Sequence, residues 1–244
     1  MAETSMADWP AMDVGVLRAA LDDSSRALST DLVEAVLSMV RPSVRLTVDG
    51  DGRPAGTYGG ALPPGVDPPY LDGQPLVLLA QLRCAVLAEI LGSAWAFPAE
   101  GSLLFFYDDE LRDDDRAGRV LHVPDGDAGA GPEVIPALPL TATPDLSAPD
   151  LAAAELRPLL YTDAPDLMAV LNELRTALPY APHQVLGWLD DGYYPDHGGV
   201  RPLLQLTAEQ GTAWGECVRV AFVVPEEDLA AGRLDRARVT YEVA

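Results

Sequence analysis

The chain has 244 residues, 48% of them hydrophobic, which is enough to fill a core without disulfide or metal staples, and its formal net charge is -22. All 16 basic residues are arginine, which excludes a Schiff-base lysine, a Walker-type phosphate loop and pyridoxal phosphate. The net repulsion argues against nucleic acid as a ligand, because affinity there rests on neutralising phosphates. No apolar run is long enough to span a bilayer and the N-terminus has no secretory pattern, so no membrane association is expected and the expected setting is cytoplasmic. Three causes compete for the acid surplus: the codon bias of a GC-rich genome, adaptation to high salt, and a surface that meets a basic partner.

The predicted elements follow in chain order. Residues 13–28 and 31–40 have helical apolar spacing, and Asp31 with Glu34 reads as an N-terminal capping signal. Residues 43–48 alternate like a strand, and Asp49 to Gly52 reads as a turn returning an antiparallel neighbour. Residues 75–82 form a continuous aliphatic run, expected to be a buried strand. Gln81 interrupts that run, so its amide should be bonded to neighbouring groups. Residues 83–91 are good helix formers closed by Gly92, and 101–107 supply the next strand. Asp108, Asp109, Glu110 and Asp113, Asp114 and Asp115 should then carry the chain into water.

Residues 118–123 form a further strand carrying His122, and the Gly-, Pro- and Asp-rich residues 125–148 read as a surface connection. Residues 163–178 give a strong amphipathic helix with Pro165 in its first turn. Two later apolar runs, 202–206 and 218–224, repeat the earlier order: a glutamine beside the last leucine of a strand, a tryptophan (Trp95, then Trp214), an apolar strand, and acids running into a leucine. Duplication and the commonness of short apolar strands both account for this order. An alternating strand closes the chain at 237–243.

The expected fold is α+β, a mainly antiparallel sheet drawn from two halves, with the helices near Leu17, Val36 and Leu171 packed against it. The expected organisation is a single domain over 1–244: a helical segment at 11–41, a first half at 42–124, a loop connection at 125–149 and a second half at 150–244.

The paired Gly59-Gly60 before a proline-rich loop, the runs 73–82 and 100–107, His183-Gln-Val-Leu-Gly187, Leu203-Leu-Gln-Leu206 and Ala213-Trp-Gly-Glu-Cys217 together resemble the YwqG-like family of bacterial proteins, a domain of unknown function. The resemblance spans about Tyr58 to Leu229, with the motifs in order. It implies one domain over that span and names no activity.

Candidate chemistry is sparse. There is no G-x-S-x-G elbow, and Cys84 and Cys217 stand in no metal-ligand or catalytic spacing, so both are expected to be reduced structural thiols. Gln81, His183, Gln205 and Trp214 are the candidate ligand-binding residues of a site between the halves. Asp190, Asp191, Asp196 and His197 form a weaker candidate metal group, against the plainer reading of a solvated acidic loop. Tyr107, Asp108, Asp109, Asp113, Asp114, Asp115, Tyr193 and Tyr194 are the candidate protein contacts. The favoured expectation is a non-enzymatic acidic module that binds a basic protein, antitoxin- or immunity-like, with no cofactor. The alternative is a metal- or small-molecule-binding enzyme using the site between the halves.

Overall fold

In the computed structural model, which describes residues 14–23, 28–110, 116–125, 133–151, 153–189, 199–209 and 217–243, the apolar runs become strands of one antiparallel sheet. The chain opens with α1 (Val14–Asp22) and α2 (Thr30–Leu37), then β1 (Arg41–Val48), β2 (Arg53–Tyr58), the short hairpin β3 (Tyr70–Leu71) and β4 (Gln74–Pro75), and β5 (Val77–Arg83). Next come α3 (Cys84–Leu91), β6 (Ser102–Tyr107), β7 (Gly118–Val123), β8 (Leu138–Ser147) and α4 (Arg157–Ala177). The chain finishes with β9 (His183–Leu186), β10 (Val200–Thr207), β11 (Cys217–Pro225), α5 (Glu226–Ala230) and β12 (Arg238–Val243).

Among the described residues ten strands form one sheet in the order β12-β11-β10-β9-β1-β8-β2-β5-β6-β7, and every neighbouring pair is antiparallel. The sheet is α+β as expected, and it curls until it nearly closes. Phe105 on β6 meets Phe222 on β11 edge to face at 5.1 Å, although these strands stand near opposite ends of the order. At the two edges, Gly118 of β7 has no room for a side chain, because a Cβ there would lie 2.6 Å from Cβ of Val239 on β12. The inner face holds the main core, from Val44 and Leu46 through Leu103 and Phe105 to Val220 and Phe222. α3 enters this space, adding Cys84, Leu87 and Leu91. On the other face of β5 and β6, Leu78, Leu104 and Phe106 are covered by Leu71 and Leu76 of the hairpin region.

Five expectations are corrected. The stretch 125–148, expected to be a surface connection, contains β8 (Leu138–Ser147), a central strand whose Leu140 and Ala142 are buried in the core. The turn at Asp49 to Gly52 does not return a paired strand: β8 lies between β1 and β2, and Ala142 pairs with Leu46 on one side and with Arg53 on the other. The turn therefore steps across β8. Glycine permits this because a Cβ on Gly52 would lie 2.6 Å from the Ala142 carbonyl oxygen and one on Gly50 would lie 2.8 Å from Oγ1 of Thr141. The helices carrying Leu17, Val36 and Leu171 do not lie on the sheet. α1, α2 and α4 form their own core, joined to the strands through residues at strand ends such as Val40 and Leu146. Glu34 makes no cap, its carboxylate instead taking Arg18 of α1. Last, α4 begins six residues before Asp163, with Pro158 in its first turn and Pro165 inside the helix, where it withholds one backbone donor.

Candidate functional site

Several polar side chains of the sheet converge on one tryptophan, Trp188, just past the end of β9. Two successive left-handed residues, Leu186 (φ 56°) and Gly187 (φ 79°), swing the chain out of the strand. Gly187 also has to be small, since a Cβ there would sit 2.6 Å from Cβ of Ser147. Every polar group of Trp188 is then engaged. Its backbone N–H donates to Ser147 Oγ at 2.9 Å and its indole Nε1–H donates to the Met39 carbonyl at 2.7 Å. Its carbonyl oxygen accepts from Gln184 Nε2 and from Gln205 Nε2, each at 2.9 Å. The ring packs beneath the Arg41 guanidinium, 3.2 Å from its centroid, with Arg201 at 5.3 Å. Glu155 stands 3.5 Å from Arg41 and 3.6 Å from Arg201, and Glu226 pairs with Arg201 at 2.5 Å.

Beside this cluster a cavity of about 530 Å³ opens between the end of β8 and α4. Asp145, Ser147, Gln184 and Trp188 line its sheet side, and Leu171 and Arg175 its helix side. Asp145 is 6% exposed. Burial pushes its carboxyl above the ordinary carboxylate range, partly offset by the Leu146 N–H and by Arg45. Its Oδ1 accepts from Leu146 N at 2.9 Å, while Arg45 Nε stands 3.6 Å from Oδ2, beyond hydrogen-bond length. A smaller cavity, of about 440 Å³, is lined by Thr57, Gly60, Gln81, Arg83 and Ser102.

Two strand ends share a local pattern. Gln81 pairs across the sheet with Thr57, and Gln205 with Gln184. Thr57 Oγ1 donates to the Gly59 carbonyl at 3.1 Å, as Gln184 Nε2 donates to the Leu186 carbonyl at 2.9 Å. Gly59 and Gly60 are both left-handed (φ 61° and 99°), as Leu186 and Gly187 are.

The residues picked from sequence do not make one site. Gln81 and Gln205 stand on strands separated by four others. His183 lies in the main core, fully buried, paired with Leu46 on β1 and 5.7 Å from the ring of Tyr58. Strand alternation puts it on the face opposite Gln184. Its Nδ1 accepts from Thr207 N at 3.1 Å, so Nε2 carries the hydrogen given to Glu209 Oε1 at 2.8 Å. Burial holds its pKa below the ordinary value, against the opposing pull of Glu209. Of the expected protein contacts, Tyr107 and Asp108 are buried, 2% and 3% exposed, and so cannot lie on a contact surface, whereas Asp109 is exposed. The strand that was to end in water keeps Asp108 inside because its N–H continues the pairing, donating to the Ala117 carbonyl at 2.8 Å. Trp214, Asp113, Asp114, Asp115, Asp190, Asp191, Tyr193, Tyr194, Asp196 and His197 lie outside the described residues. Among the described residues no group of three His, Cys, Asp or Glu side chains is placed to hold a metal ion.

Sequence reasoning missed Trp188, Arg41, Asp145 and Arg201. The one available signal was the pair of glutamines flanking a Leu-Gly-Trp step, and it does not say that both amides reach the same carbonyl.

The fold and site thus define an α+β protein with a curled ten-stranded antiparallel sheet and a polar cluster beside an open cavity. The model of a domain of unknown function, DUF1963, matches residues 58–242, and the chain belongs to that family. No curated protein matches the chain. Among the described residues, no helix is long and apolar enough to cross a membrane.

Two stability tests follow from this geometry. Gln205 is buried and bonded to Trp188, whereas Gln81 is only partly buried, at a cavity rim. Gln205→Leu should cost about 1–3 kcal/mol and Gln81→Leu within about 0.5 kcal/mol, as read from urea denaturation. An equal cost at both positions would contradict the assignment.

The second test uses pH. An unfolded histidine takes up its proton as pH falls through about 6.5, but buried His183 does so only at lower pH. The unfolded state therefore binds more protons in that window, and His183's contribution is complete above it and lost as pH falls toward the depressed folded value. Asp145 acts oppositely, its raised pKa favouring the native state as pH falls toward 3.8. Denaturation midpoints should drop between about pH 7 and pH 5.5, and His183→Gln should flatten that drop.

Proposed function

We propose that the chain is a non-enzymatic binding module that meets a basic protein partner, with the cavity beside Trp188 as the point of recognition and an antitoxin- or immunity-like role. The observation that carries this reading is the immobilised Trp188: two glutamine amides and a serine hold its backbone, and two arginines flank its ring, at the wall of an open cavity. Recognition sites need such preorganisation, while the charge of -22 speeds encounter with a cationic surface. The described nucleophile candidates favour binding over turnover. Cys84 and Cys217 are buried with their pKa values pushed up to about 11, chiefly by burial, and such thiols are poor nucleophiles at neutral pH. Both ring nitrogens of His183 are committed.

The finer expectations belong to the same reading. The motifs that resemble the YwqG-like family fall largely within the matched span and support that name and a bacterial source. The shared pattern at Gly59-Gly60 and Leu186-Gly187 supports duplication, with β1 and β8 exchanged between the halves. Two unpaired cysteines fit a cytoplasmic setting. A second reading, a small-molecule enzyme, is favoured by the cavity at Gln81, where Arg83 and Ser102 add donors.

Affinity purification of the intact chain from extract at low and at raised salt tests the first reading. The expected result is a basic protein retained at low salt and progressively released as salt screens the charges. Retention of acidic or neutral proteins alone, or retention indifferent to salt, would count against it.

A further inference from the structure

We propose that the cavity beside Trp188 takes an alkyl guanidinium or ammonium group, with Asp145 as its counter-ion and Gln184 as a second acceptor; the inference rests on reading the chain as a module for a basic partner. The hydrogen-bond inventory at the cavity wall points to this chemistry. Both amide hydrogens of Gln184 are spent on the Leu186 and Trp188 carbonyls, so what it can still offer is its Oε1, an acceptor. Asp145 offers Oδ2, which among the described residues has Arg45 Nε at 3.6 Å and no donor within hydrogen-bond range. The cation on the opposite wall, Arg175, is held by Asp150 at 3.1 Å. Asp145 and Gln184 thus leave acceptors on the sheet wall, and a buried carboxylate with no hydrogen bond on Oδ2 gains from an incoming cation that brings several N–H groups.

The remaining walls suit the stem of such a ligand. Leu146, Leu171 and Leu178 give apolar surface for methylene groups, as long basic side chains require. Tyr180, which also lines the cavity, is 71% exposed and adds an aromatic ring of the kind that attracts a guanidinium. At about 530 Å³ the space exceeds what one side chain fills, so an arginine or lysine can enter with part of its backbone, or as a free small amine.

The test is calorimetric titration of the full chain with agmatine, with an end-blocked arginine peptide, and with the same peptide carrying citrulline, which keeps the shape and loses the charge. The expected result is binding of the cationic probes, at least about tenfold weaker binding of citrulline, and a comparable loss in Asp145→Asn. Asparagine can still accept from the Leu146 N–H, and circular dichroism checks that the variant folds. Leu178→Trp, which fills the cavity from its helix side, should abolish binding independently. Agmatine binding without peptide binding supports the chemistry with a free amine as its source, and binding of both supports a side chain. Equal binding of arginine and citrulline peptides, no binding of either cation, or binding unchanged in both variants would overturn the proposal. If the cations fail while a basic protein is still retained in a salt-dependent way, this inference falls and the binding-module reading stands; if both fail, both fall.

Discussion

Trp188→Ala is expected to lower stability by about 3–5 kcal/mol, the range for removing a large buried aromatic side chain. The residue is 8% exposed, and its indole bonds Met39, which joins α2 to β1. Removing the ring also takes away the surface against which Arg41 is packed, leaving a guanidinium with one buried nitrogen, Nη1, that already has no hydrogen-bond partner among the described residues. Trp188→Phe keeps most of the packing and loses the Met39 bond, so it should cost about 1 to 2 kcal/mol, between wild type and alanine. Urea denaturation followed by circular dichroism reads both values. A loss below about 1 kcal/mol in Trp188→Ala would mean that the ring is peripheral and that the cluster is a surface feature.

Gly56→Ala should be worse tolerated than any other single-methyl addition at a described glycine in the first half. The position has φ 151°, at a bulge where the β2–β8 register shifts between Pro54 and Gly56. A Cβ there would run into the carbonyl oxygen of Gln81 and lie 2.9 Å from its carbon and 3.0 Å from Leu82 Cα. These are backbone atoms of the paired strand and cannot rotate away. The expected cost is about 3 kcal/mol or more, a large fraction of the stability of an ordinary domain. Gly73→Ala is the control: its φ of 83° is also left-handed, yet nothing lies within 4 Å of the added Cβ. It should lose about 1–2 kcal/mol from conformation alone. Equal losses at the two positions would mean that the close approach of β2 to β5 is not needed.

The strands were legible because burial on one or both faces leaves an aliphatic record, as in residues 75–82 and 101–107. Their order was not. Nothing in Asp49-Gly-Asp-Gly52 distinguishes a turn that returns a strand from one that steps across a third strand, because both need small residues at tight angles. The helix stripes were equally clear, but a stripe says that a face is buried without saying against what, and α1, α2 and α4 bury theirs against one another.

At the site, the importance of Gln205 was readable from a polar residue inside an apolar strand, and its partner was not. That partner, the Trp188 carbonyl, depends on the left-handed pair Leu186-Gly187, and leucine gives no hint of a positive φ. Tyr107 and Asp108 were misplaced for the converse reason. An acid after a strand is usually in water, but here the pairing runs one residue further and the curled sheet brings Tyr241 of β12 alongside, its hydroxyl 3.5 Å from the Asp108 carbonyl.

The claim that recognition takes place at the cavity beside Trp188 is tested most directly by mapping amide and indole chemical shifts while an end-blocked arginine peptide is titrated into the intact chain. The account predicts that the largest shifts fall on the Gln184 side-chain amide, the Trp188 indole N–H and the backbone of Leu171 to Leu178. Shifts centred on exposed acids elsewhere, such as Asp31 or Glu89, with the Trp188 indole unmoved, would contradict it.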